Sequence, residues 1–96
     1  MIKIYRTQPY LETGNQLIKL TPTEHRLVIA LGMLDNKMVP RELLLEVLCE
    51  ERVQIPADQS LLSLHLCRLK KKLGSQMLRS KRQIGYQLIG PVEFIG

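Results

Sequence analysis

Along this chain the spacing of apolar positions shifts from two residues to about three and a half, then back to two, and each shift predicts a change of element. Ile2 to Arg6 alternates like a half-buried strand, and Tyr10 to Glu12 reads as a second extended piece before a turn at Thr13-Gly14-Asn15. Gln16 to Leu20 is a third strand, with Leu17 and Lys19 on one face and Ile18 and Leu20 on the other. Thr21-Pro22-Thr23-Glu24 then signals a helix start: Thr21 caps, Pro22 suits the first helical position, and Glu24 stands where a capping box places its carboxylate. The inward stripe of this helix is Leu27, Ala30, Leu31 and Leu34, and Asp35-Asn36-Lys37 ends it. After an extended Met38-Val39, Pro40 opens a second helix whose Leu43, Leu44, Val47 and Leu48 face inward and whose Glu42, Glu46 and Glu50 face out.

The third helical stretch is the most informative. Asp58 is a good N-cap for it, and Gly74 is a good stop. At about 100° per residue, Leu62, Leu66, Leu69 and Leu73 form one narrow seam, while Ser60, Leu64, Cys67 and Lys71 lie opposite, with Arg68, Lys70 and Lys72 around them. Beyond it, Met77 to Ile89 reads as a basic hairpin whose closing strand, Ile84 to Ile89, ends at Gly90-Pro91. The expected fold class is α+β: N-terminal antiparallel strands over 1–20, three helices over 21–74, and a β-hairpin wing over 75–90. This is a winged helix-turn-helix in a single domain spanning 1–96.

Charge sharpens the picture. Of the formal net charge of +5, residues 1–59 contribute −1 and residues 60–96 contribute +6. So lopsided a distribution focuses positive potential on the third helix and hairpin, the footprint of a protein that meets a phosphate backbone. A basic face kept only for solubility is the blander alternative. Composition is otherwise that of a globular protein, 45% apolar and 24% charged. Cys49 and Cys67 make no metal-binding or redox pair, no signal peptide is evident, and no apolar run is long enough to span a membrane, so the expectation is a cytoplasmic protein. Nothing suggests a cofactor or an enzyme: the chain lacks a nucleophile–base motif and a phosphate-cradling glycine loop. A stacking platform for single strands is also missing, with Phe94 the only phenylalanine and Tyr5, Tyr10 and Tyr86 scattered.

Candidate DNA-binding residues follow from position and chemistry. A helix fits the major groove, and Arg68 is the best base reader there, because arginine to guanine is the commonest specific pairing. Lys70, Lys71 and Lys72 are expected at phosphates, which position without specifying. Ser60 and Cys67 are short enough to permit close approach. Leu64 suits a thymine methyl, a protein neighbour or the hairpin. His65 suits a phosphate or a packing role, and His25, in the first helix, is expected only to pack or cap. Arg79 and Lys81 lie along the hairpin, and Arg82, near its tip, suits the narrow minor groove. Tyr86 is expected to pack on the core.

Four segments, L-T-P-T-E at 20–24, V-P-R-E-L-L at 39–44, L-H-L-C-R-L-K-K-K-L-G at 64–74 and I-G-Y-Q-L at 84–88, together resemble the C-terminal effector domain of OmpR/PhoB-type response regulators. The resemblance spans almost the whole chain. It implies that the third helix reads the major groove, the wing touches the minor groove, and the Arg52 to Ala57 loop faces RNA polymerase; His65, Arg68, Lys70 and Arg82 inherit DNA contacts. Departures are Ser60 and Cys67, where relatives often carry arginine, Gln83 in place of the wing's first glycine, His25 at a usually aromatic position, and Pro40 for the usual serine cap. The resemblance does not extend to the family's receiver domain, which implies either a free-standing regulator or the DNA-binding part of a longer one, membrane-anchored or not.

The expected function is therefore sequence-specific binding of double-stranded DNA by a bacterial or phage transcription regulator, as two copies on repeated half-sites. The alternative is a winged-helix interaction module that modulates another regulator or RNA polymerase without touching DNA; exposed Leu61 and Leu64 would serve it.

Overall fold

Thr21 starts the first helix as its sequence dictates. Its hydroxyl accepts from Glu24 N at 3.2 Å and its own N–H donates to Glu24 Oε1 at 2.9 Å, a closed capping box ahead of α1 (Pro22–Met33). The computed structural model describes residues 1–14, 16–34, 36–51, 59–81 and 84–96. Around α1 stand β1 (Ile2–Tyr5), β2 (Tyr10–Thr13), β3 (Gln16–Lys19), β4 (Val39–Pro40), α2 (Arg41–Glu51), α3 (Gln59–Leu73), β5 (Leu78–Lys81), β6 (Gly85–Leu88) and β7 (Val92–Ile95). The first three strands form the expected antiparallel meander, with Ile4 opposite Leu11 and Leu11 opposite Ile18. Leu17 faces solvent while Ile18 and Leu20 pack inward.

Two expectations are corrected. The terminal residues after Pro91, given no element from sequence, form β7, which pairs in parallel with β1 and extends the sheet to the order β3-β2-β1-β7. Pro40 stands directly before α2, as expected, and also closes the two-residue strand β4, opposite Gly85, where its missing N–H is no loss at a short edge strand. Leu43, placed inward by period, is 40% exposed. Leu44 and Leu48 carry the buried stripe of α2, with Leu45 and Val47 on its flanks, because three leucines in a row leave the helix phase undetermined. In α1, Leu27 and Leu31 are buried as expected, joined by Val28, while Ala30 and Leu34 lie at the margin.

The second sheet, in the order β4-β6-β5, is the hairpin wing tied to the body by β4. Gly85 makes that tie possible: an added Cβ would lie 1.9 Å from the Val39 carbonyl oxygen, so no side chain fits between β4 and β6. Asn36, in the left-handed region at φ 67°, accepts at its carbonyl from Gln87 Nε2 and fastens the turn after α1 to the same strand. Leu62, Leu66, Leu69 and Leu73 are all buried, together with Leu78 and Leu88 of the hairpin. Gly74 ends α3 at φ 87°, its N–H donating to Lys70 O at 2.7 Å. Asp58 and the Arg52–Ala57 loop lie outside the described residues. Among those described, no helix is long and apolar enough to cross a membrane, and no group of three His, Cys, Asp or Glu could hold a metal ion.

Candidate nucleic-acid interface

Once its leucine seam is docked, α3 has one face left. Ser60, Leu64, Cys67, Arg68 and Lys71 are exposed there, as the sequence places them. Leu64 is 46% exposed, so it does not lie under the hairpin; Leu61, expected to be exposed, is half-buried against the core. His65 is also half-buried, at the margin of the seam.

The three consecutive lysines do not act as a block. Successive helical residues are about 100° apart, so Lys70 and Lys72 leave on opposite flanks and only Lys71 points outward. Lys70 Nζ donates to Ser80 Oγ at 2.9 Å and joins α3 to strand β5 of the wing. Lys72 Nζ instead turns toward α1, 2.6 Å from Glu24 Oε1, and also donates to Lys19 O at 3.1 Å. Lys72, expected at a phosphate, is thus engaged within the fold and is left out of the candidate face.

The wing presents its own basic edge. Leu78 anchors β5, leaving Arg79, Ser80 and Lys81 exposed, with Arg79 opposite Gln87 and Lys81 opposite Gly85. Met38, Arg79, Ser80, Lys81 and Gln87 line a concavity of about 440 Å³ at the hairpin's side. Arg82 and Gln83 lie outside the described residues. Lys70, Lys71, Arg68, Arg79 and Lys81 thus belong to one helix and one hairpin joined directly by a hydrogen bond.

Sequence reasoning passed over Arg41. The first residue of α2 reaches both halves of this surface, donating from Nη2 to Ser63 Oγ on α3 at 2.8 Å and from Nη1 to the Tyr86 hydroxyl on β6 at 3.3 Å. Its guanidinium carbon also lies 5.9 Å from the Tyr86 ring centroid. Tyr86 packs on the core as expected while serving this bridge. His25 likewise keeps a structural role, its Nε2–H donating to Tyr5 O at 2.6 Å and tying α1 to the end of β1. The placement of Arg41 directly after Pro40 was the only local signal.

Among the described residues, the Glu24 carboxyl departs from its ordinary behaviour. Burial pushes the Glu24 carboxyl up, but the Lys72 hydrogen bond, the Thr21 N–H, the Lys72 charge and the Thr21 hydroxyl together outweigh it and hold the group below the usual glutamate value.

Comparison with known proteins places this geometry. The family described as "Transcriptional regulatory protein, C terminal" matches residues 14–88. The C-terminal domain of the nisin resistance regulator NsrR, a lantibiotic response regulator, is 31% identical, with 91% of this chain and 89% of that one covered and a TM-score of 0.74. The DNA-binding domain of the response regulator AdeR, solved in complex with an intercistronic region, is 26% identical, with 94% and 95% covered and a TM-score of 0.73. No curated protein matches the chain.

Proposed function

The chain belongs to the C-terminal transcriptional regulatory protein family, winged-helix DNA-binding domains of the OmpR/PhoB type, and on that premise we propose that it binds double-stranded DNA sequence-specifically, with α3 in the major groove and the wing at the minor groove. DNA-binding transcription regulation is the family's work, and its members are binding domains, not enzymes. The observation that carries the finer reading is the join between Lys70 and Ser80: it makes one surface of the only exposed face of α3 and the basic edge of the wing. Arg68 reads a base. Lys71, Arg79 and Lys81 meet phosphates, with Lys70 between helix and wing; Ser60, Leu64 and Cys67 allow close approach; His65 lines the margin; Arg82 serves the wing tip. Such a role belongs in the cytoplasm, with two copies on repeated half-sites.

Fluorescence anisotropy on a random-sequence 30-mer duplex tests this at low and near-physiological salt. Several phosphate contacts should give a log–log slope of about −0.9 each. No binding even at low salt would instead favour a protein-binding module centred on exposed Leu64. Selection from a randomised pool then yields a preferred duplex, and comparing one with two copies of that site reads the stoichiometry. RNA polymerase contact through Arg52–Ala57 is tested separately, by transcription with that loop substituted.

A further inference from the structure

We propose that Glu24 is a positioning residue for DNA reading: acting through Lys72, it fixes the last turn of α3 and so the register in which that helix meets a duplex. The inference rests on the DNA-binding reading above. Glu24 is 1% exposed, yet it carries a charge. Its Oε1 accepts from Thr21 N at 2.9 Å and Lys72 Nζ at 2.6 Å, while Oε2 has no hydrogen-bond partner among the described residues. Because Lys72 Nζ also donates to Lys19 O, the end of β3, the first turn of α1 and the last turn of α3 meet at one ammonium group.

A leucine seam is non-directional and tolerates small rotations and slides, whereas a short ion pair to a buried, capped carboxylate does not. From Lys72 to Ser60 the helix runs about 18 Å, so a tilt of roughly 5° at the clamped end moves the far end by about 1.5 Å. That displacement exceeds the range over which a base-edge hydrogen bond keeps its geometry. Glu24 itself touches no DNA in this arrangement. Its capping box accounts for Thr21 but not for the lysine drawn 48 residues along the chain to reach it.

The test compares Glu24→Gln, Lys72→Met, Lys72→Arg and Lys71→Met with the unaltered chain on two probes: the tightest duplex selected from a randomised 30-mer pool, and a random-sequence 30-mer. Anisotropy is recorded across a salt series at a temperature where circular dichroism shows each variant folded. Glu24→Gln and Lys72→Met should weaken the selected duplex about tenfold relative to random DNA, with the salt slope unchanged. Lys72→Arg, which keeps the pair, should restore the ratio. Lys71→Met should weaken both duplexes and flatten the slope by about 0.9. A flatter slope for Lys72→Met would make Lys72 a phosphate contact and overturn the proposal. So would a selected-to-random ratio left within about twofold by Glu24→Gln, which decides alone if Lys72→Met does not fold. If the unaltered chain binds neither duplex, the DNA reading itself falls.

Discussion

Arg41 holds Ser63 and Tyr86 with one guanidinium, at 2.8 Å and 3.3 Å, so the start of α2, the exposed flank of α3 and the inner wing strand are joined by a single side chain. Replacing it with alanine removes both of these hydrogen bonds and the contact with the Tyr86 ring. Arg41→Ala should cost about 1–2 kcal/mol of stability in urea unfolding. Arg41→Lys should recover less than half of this, because an ammonium cannot span both partners as a planar fork does. An unchanged midpoint for the alanine variant would mean that the bridge contributes nothing in solution.

Arg68 stands exposed on α3 beside Leu64 and Lys71, where the proposed function gives it a base to read. Arg68→Ala is expected to lose about 1–3 kcal/mol on a selected duplex and to relax the preference at one base position. Binding measured against single-base variants of that duplex locates the position. If the loss were equal on random DNA, Arg68 would be a phosphate contact instead.

Acid should loosen the Glu24–Lys72 pair in a direction fixed by its charge. The folded carboxyl titrates below the ordinary glutamate value, so the pair stabilises the fold fully above that value and ceases to do so as pH falls through the lower, folded one. Urea midpoints measured from neutral pH downward should therefore fall in that window, and Glu24→Gln should remove this part of the fall. Parallel profiles for the two proteins would show that other carboxyl groups govern the acid transition.

Gly85 admits no side chain, since its Cβ position is 1.9 Å from Val39 O and 2.7 Å from the Val39 carbonyl carbon. Backbone cannot swing aside as a side-chain tip can, so Gly85→Ala must part β4 from β6. A loss of about 2–4 kcal/mol is expected, with faster amide exchange at Val39 and Tyr86. Stability near that of the unaltered chain would mean that the strands separate at little cost.

How legible these features were depended on their range. Local signals were reliable: the capping box at Thr21 and Glu24, the Leu62–Leu73 seam and the stop at Gly74 all depend on residues within one or two turns, and all stand as the pattern places them. Strand β7 was not legible, because Val92–Ile95 becomes a strand by pairing with Ile2–Tyr5, whose sequence lies at the other end of the chain. The strand pairing of Pro40 was hidden for the same reason, its partner being Gly85. In the candidate site, the exposed residues of α3 were readable from period alone, but Lys70–Ser80, Arg41–Ser63 and Lys72–Glu24 connect separate elements. Carrying the helical phase through 70–72 would have parted Lys72 from Lys70; it would not have named Glu24 as its partner.

The parallel pairing of Ile2–Tyr5 with Val92–Ile95 also bears on the order of folding. Those strands enclose nearly the whole chain as a loop, whereas β5 and β6 close a short one, and the entropy of closure rises with loop length. The hairpin and its helix should therefore assemble first, with the terminal sheet zipping shut late. In the native state the same inequality runs backwards: β7 is the strand expected to detach first, while the basic surface at the other end of the topology stays intact.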